Sequence, residues 1–260
     1  MNKICPQCQG TAWVFYEKDG RRIGRRCACY INTQKKKLLI AAGIPNRYEN
    51  CYLSNFNTGG NQSLVQVENQ IREFLISYPA DNKGLLLQGP PGVGKTHLAV
   101  GIIHYLIEDN NTPCVFCDFR ELLHTIRSTY DHTSQLTENS VTQPVLTTDL
   151  LVLDELGAEK TTQWVRDTLM FILNFRYNHM LPTIITTNYP DRDDLLYSSY
   201  KDHWQDQDET LEDRIGSRLR SRLHEMCLKI CIEAEDYRKK KTQVAFQKGI
   251  RGRLNLRQED

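Results

Sequence analysis

Apolar positions along the chain fall into two registers. In residues 63–78, Leu64, Val67, Ile71, Phe74 and Leu75 recur at helical spacing, and Pro79 stands just past the end. Elsewhere the runs are short and continuous: Leu85-Leu86-Leu87, residues 114–117, 150–153, 183–187 and 227–232 read as five strands. A helical pattern opens at His97-Leu98-Ala99 after the first run, and residues 119–130 form another after the second. Strands alternating with helices in this way predict an α/β fold, a parallel sheet flanked by helices. The first 60 residues differ. Residues 12–17 (Ala-Trp-Val-Phe-Tyr-Glu) are aromatic and β-branched, Lys18-Asp19-Gly20 is turn chemistry, and residues 21–26 return as the second arm of a hairpin. Lys35-Lys36-Lys37 with residues 38–42 predicts a short helix ending at Gly43, and an irregular linker runs from Ile44-Pro45 through Asn61. The expected division is 1–35 as a small N-terminal module, 36–62 as helix and linker, 63–238 as the main α/β domain and 239–260 as a tail, with the boundary within residues 32–43.

Charge adds a second division. Across 260 residues the net charge is only +1, yet residues 1–40 carry nine Lys/Arg against two acids and residues 237–260 eight against two, leaving an acidic centre. Basic ends suit contact with a polyanion, or are simply solvated. There is no apolar stretch of membrane-spanning length and no signal-like start, so a cytoplasmic protein without membrane association is expected. That setting, with an odd count of nine cysteines, argues against disulfides.

Residues 89–96 read Gly89-Pro90-Pro91-Gly92-Val93-Gly94-Lys95-Thr96, a complete G-x-x-x-x-G-K-T phosphate loop between a strand and a helix that begins at His97. Its backbone N–H groups and the helix N-terminus bind a polyphosphate, ATP or GTP. Lys95 is expected at the β- and γ-phosphates and the Thr96 hydroxyl on Mg²⁺. The run 150–153 ends in Asp154-Glu155, at the strand end where open α/β sheets place ligands. Asp154 is expected to orient Mg²⁺ and Glu155 to polarise the attacking water. Asn188 follows the fourth strand, as a turn residue or as a group that positions water. Arg214, Arg218 and Arg222 recur every four residues, as a solvated basic face or with one of them an arginine finger. At the N-terminus, Cys5-Pro-Gln-Cys8 and Cys27-Ala-Cys29 flank the hairpin, which brings the pairs together as four thiolates for one Zn²⁺. Arg21, Arg22, Arg25 and Arg26 beside Trp13 and Tyr16 suit nucleic acid or a protein partner equally.

In this order, phosphate loop, Asp-Glu strand end, Thr-Thr-Asn and an Arg-rich Ser-Arg-Leu segment, the chain resembles an AAA+ ATPase. Ala42-Gly43-Ile44-Pro45-Asn46-Arg47-Tyr48, Phe116-Cys117-Asp118-Phe119-Arg120-Glu121-Leu122-Leu123, Asp154-Glu155-Leu156-Gly157 and Ser221-Arg222-Leu223 make it similar to the DnaC/DnaI helicase loaders and their IstB-like relatives over roughly residues 40–238. The resemblance implies an ATPase, stimulated by partners, that binds the replicative DNA helicase through its N-terminal part and single-stranded DNA through its ATPase part. The alternative within the same resemblance is a transposition-assisting ATPase acting on double-stranded DNA with a transposase. Carried over by position, the nucleotide contacts are residues 89–97, Asp154 and, as a second sensor, Arg238; Lys95, Glu155 and the sensor Asn188 serve catalysis; Arg222 is the finger, acting in trans on a self-associated neighbour. Residues 191–210, acidic and aromatic, depart from the pattern as an insertion.

Overall fold

The computed structural model describes residues 4–131, 135–159, 162–191 and 209–239. Most of the expected insertion and the tail beyond Lys239 lie outside the described residues. A hairpin of β1 (Trp13–Lys18) and β2 (Arg21–Arg26) pairs antiparallel and feeds helix α1 (Ala28–Ala41). This helix starts immediately after Cys27, a turn and more before the expected Lys35. The expected 35/36 division therefore falls inside one continuous helix. Its far end is anchored: Ala42 is fully buried and its carbonyl accepts from the Phe116 N–H at 2.7 Å. The linker is ordered as two 3-10 turns, at Asn46–Tyr48 and Leu53–Asn55, before α2 (Gln62–Ser77), whose first turn is capped by the Asn61 side chain.

Beyond it the chain alternates as the apolar pattern predicts: β3 (Gly84–Gln88), α3 (Lys95–Asn110), β4 (Cys114–Asp118), α4 (Phe119–Ser128), α5 (Glu138–Thr147), β5 (Leu150–Asp154), α6 (Gln163–Asn178), β6 (Thr183–Thr187), α7 (Leu211–Ile215), α8 (Ser217–Met226) and β7 (Cys227–Cys231). The five strands from β3 onward form one parallel sheet in the order β4-β5-β6-β3-β7. Successive side chains alternate between its faces. Leu85, Leu87, Val152 and Ile184 pack under α2, α3 and the linker, while Leu86, Leu151, Leu153 and Ile185 pack under α4 to α8. β3, β5 and β6 are buried on both sides, which explains why their runs are not alternating, whereas the edge strand β7 leaves Leu228 exposed.

Two details fix the register. Gly84 lies so near β6 that a Cβ there would stand 1.9 Å from the Thr183 carbonyl oxygen. Arg176, fully buried, ties the N-terminal ends of the strands together, donating to the carbonyls of Val145, Leu146, Thr148 and Pro182 and to Thr183 Oγ1 over 2.7–3.2 Å. One expectation is corrected: the arginine-rich stretch is not a single helix. Gly216, with φ +86°, separates α7 from α8, so Arg214 leaves the face that Arg218 and Arg222 share on α8.

Candidate functional site

Because β6 is inserted between β3 and β5, the phosphate loop and the acid pair are held one strand apart, with the end of β6 between them. The loop after β3 needs its glycines: Gly92 and Gly94 have φ of +84° and +100°, and a Cβ on them would lie 2.0 Å from Asp236 Oδ1 and 2.7 Å from the Phe56 ring. Lys95, the first residue of α3, is buried and donates to the carbonyls of Gly89 at 2.7 Å and Pro90 at 2.8 Å. Burial lowers its pKa to about 8, partly offset by the nearby Asp154 charge.

Asp154, 3% exposed, is the hinge of the site. It accepts from Thr96 Oγ1 at 3.1 Å on both carboxylate oxygens and from Thr186 Oγ1 at 2.5 Å. Burial pushes its carboxyl up to about 6, against these two hydroxyls, which pull it down. Glu155 takes φ +58°, a left-handed conformation that side chains rarely adopt, and its N–H donates to Thr186 Oγ1 at 3.0 Å. One threonine thus fixes both acids. Glu155 lines a cavity of about 550 Å³ that Gly92, Lys95, Thr96, His97, Asn188 and Arg238 also line. The turn that carries Asn188 is fixed at the next residue, where Gln88 Nε2 donates to the Tyr189 carbonyl at 2.7 Å and the Tyr189 N–H donates to Thr187 Oγ1 at 3.2 Å. The segment after β7 closes over the loop, the Tyr237 N–H donating to the Gly92 carbonyl at 3.1 Å.

The structure therefore gathers residues 91–97, Glu155, Asn188 and Arg238 around one cavity, with Asp154 directly behind Thr96. It does not bring Arg222 there: its guanidinium reaches Met170 Sδ at 3.3 Å and lies 5.6 Å over the Tyr177 ring, on α8 against α6. Sequence reasoning missed the far wall. Arg47, Tyr48, Asn55, Phe56 and Asn57 of the linker line the same cavity. The Tyr52 carbonyl accepts from the His97 Nε2–H at 2.9 Å, and the Tyr52 ring lies tilted against that of His104, centroids 4.3 Å apart. The available signal was the polar run 54–61 with its Gly59-Gly60 pair, which α2 and β3 separate from the phosphate loop.

At the other end of the molecule Cys5, Cys8, Cys27 and Cys29 converge, all four sulfurs within 4.8 Å of one another. The pairs Cys5–Cys27 and Cys8–Cys29 are 3.8 and 3.4 Å apart. A tetrahedron of zinc–thiolate bonds about 2.3 Å long has edges of about 3.8 Å, so the donor set fits zinc. Backbone N–H groups of Cys8 and Gln7 aim at Cys5 and lower its pKa to about 7, while hydrogen bonds from the Cys8 and Cys27 thiols push Cys29 up to about 12, so the first thiolate forms at Cys5. Among the described residues no helix is long and apolar enough to cross a membrane.

Residues 37–245 match the family model of IstB-like ATP binding proteins, which leaves the cysteine cluster outside the match. The protein YqaM of Bacillus subtilis (strain 168) is 24% identical over 235 residues, 87% of this chain and 66% of that protein. The replicative helicase loader DnaI of the same organism is 35% identical over 136 residues, 50% of this chain and 42% of the loader. This chain thus spans less than two thirds of the length of either. The crystal structure of the DnaC helicase loader superposes with a TM-score of 0.61 at 32% identity, over 73% of this chain and 100% of that one.

Proposed function

This chain belongs to the IstB-like ATP-binding protein family and has the AAA+ P-loop ATPase fold, and from that premise we propose that it is a cytoplasmic helicase loader. It binds and hydrolyses ATP, engages the replicative DNA helicase and holds single-stranded DNA. The observation that carries this reading is the 32% identity to the DnaC helicase loader over the whole of that chain. In the proposed site Lys95 leaves the loop carbonyls for the β- and γ-phosphates, and loop N–H groups bind the remaining oxygens. Thr96 and Asp154 hold Mg²⁺, which neutralises phosphate charge when bound. Glu155 polarises the attacking water and Asn188 orients it; Arg238 reaches the nucleotide from the closing segment. Arg222, remote from its own cavity, serves as the finger of a neighbouring subunit. Zn²⁺ on the four cysteines would hold the hairpin and the start of α1 folded.

Purified full-length protein mixed with the replicative helicase of its own cell, ATP and single-stranded DNA tests this. Co-elution of the two proteins on size exclusion is expected, with ATP-dependent retention of DNA. Glu155→Gln should keep the complex while hydrolysis falls roughly 10²-fold or more. No co-elution under any nucleotide condition overturns the loader reading. If the protein then binds duplex DNA in preference and associates with a transposase, the transposition-assisting reading takes its place.

A further inference from the structure

The N-terminal hairpin carries chemistry that the nucleotide site does not use. Every strand residue except Val14 is exposed, including the rings of Trp13, Phe15 and Tyr16 at 40%, 55% and 43%. The register pairs Trp13 with Arg26, Phe15 with Gly24 and Glu17 with Arg22, so these six share one face. Gly24 matters here: a Cβ would come within 2.9 Å of the Phe15 ring and 3.7 Å of Trp13, so its absence lets both rings lie across β2. The Arg22 guanidinium lies 4.6 Å over Phe15, and that of Arg26 lies 4.1 Å over Trp13 and 4.5 Å over Tyr30 in the first turn of α1. Planar cations and rings thus form one row along the face, from Arg22 through Phe15, Trp13 and Arg26 to Tyr30. Residues 13–26 hold five basic side chains against two acidic ones.

We infer that this face is a stacking platform for single-stranded nucleic acid, a contact additional to any made by the ATPase domain. Each part of the arrangement matches such a strand. Arginines draw in the phosphates, while bases stack on aromatic rings and on guanidinium planes without regard to sequence. Trp13 and Phe15, two residues apart on β1, are separated by about 6.6 Å along the strand, which gives each ring its own base. A duplex keeps its bases stacked internally, so it uses the arginines and leaves the rings in water. An apolar protein surface meets the rings but must desolvate the cations without a counter-charge. The inference rests on the single-strand binding in the proposed function and assigns it a surface.

Fluorescence anisotropy of labelled oligo(dT) with the zinc-loaded full-length protein, alone and with ATP and Mg²⁺, decides it. Trp13→Leu and Phe15→Leu keep an apolar residue but remove the stacking surface; each should weaken oligo(dT) binding on the order of tenfold and leave the salt slope alone. Arg22→Gln and Arg26→Gln should each lower the slope of log affinity on log salt by about 0.7. Zinc content and ATP affinity, read on the same samples, report that the fold is kept; Trp13→Tyr, which restores a ring, should recover binding. Wild-type protein that binds no oligo(dT) overturns both this inference and the single-strand part of the loader reading. Wild-type protein that binds while the leucine variants bind equally well overturns this inference alone. If those variants instead lose only co-elution with the helicase, the hairpin is a protein-docking face.

Discussion

The five-stranded sheet and the cysteine hairpin are held together by different physics. In the sheet, β3, β5 and β6 are buried along their whole length, and apolar side chains cover both faces. Around the hairpin, both strands face solvent and α1 has no buried residue within its own span; only Cys8 and Cys27 are buried. One region is stabilised by hydrophobic burial, which tolerates loss of any one ligand. The other has a ring of four sulfurs in place of a core, so its stability is the affinity of what they bind. The same contrast governs function: polar groups in the sheet are fixed by buried backbone, whereas the hairpin offers its side chains to the outside.

Removing metal should break the comparison open with the largest effect. Structural zinc contributes on the order of 10 kcal/mol or more to such modules. A strong chelator, or Cys8→Ser, should therefore unfold the hairpin and fray the start of α1, with loss of the zinc and of hydrogen-exchange protection at residues 5–31. The cooperative melt of the sheet should stay within a degree or two, because α1 is anchored independently through Leu38, Leu39 and Ala42. Zinc-free protein with full protection over residues 5–31 contradicts the division.

The reciprocal change is Gly84→Ala. The added Cβ meets the Thr183 carbonyl, which is backbone and has no room to yield. Pushing β3 from β6 should cost about 3 kcal/mol and lower the melting temperature by roughly 10 °C. Zinc stoichiometry should not change. A variant that melts like the wild type shows that β6 shifts freely, and with it the seat of Thr186 and Asn188.

What the sequence made legible follows this contrast. The strands, the phosphate loop and the cysteine pairs are local patterns, and the structure has them at or within a residue or two of the expected positions. The start of α1 was hidden because helical spacing is short there and Cys27 and Cys29 read as a knuckle rather than as a helix entry. The split at Gly216 depends on one left-handed residue inside an otherwise helical arginine pattern. Thr186, which joins both acids, and Phe56, which leans on Gly94, act through contacts between segments distant in sequence. Arg176 reads as one more charge on a helix, and only the fold turns it inward. Nothing in periodicity announces such contacts.

The smallest expected effect concerns a tension that the sheet has and the hairpin lacks. Lys95 and Asp154 are buried at the site, with burial lowering the first to about 8 and raising the second to about 6. For Asp154 the folded value lies above its ordinary 3.8, so the folded chain holds that proton more tightly than the unfolded one. The stability gained from this is complete below about pH 3.8 and is lost as pH rises through 6; at pH 7 the ionised group costs up to about 3 kcal/mol. Asp154→Asn keeps the shape and an oxygen that accepts from Thr186, and carries no charge. The nucleotide-free variant should be more stable than the wild type at pH 7, by up to about 2 kcal/mol, and indistinguishable from it at pH 4, measured by urea unfolding at both values. Adding ATP and Mg²⁺ should reverse the order at pH 7, because ligand that binds only the folded chain stabilises the wild type and the variant no longer holds the cation. Equal stability at pH 7 without nucleotide means that the hydroxyls of Thr96 and Thr186 already offset the burial, and the site then carries no more tension than the exposed charges of the hairpin.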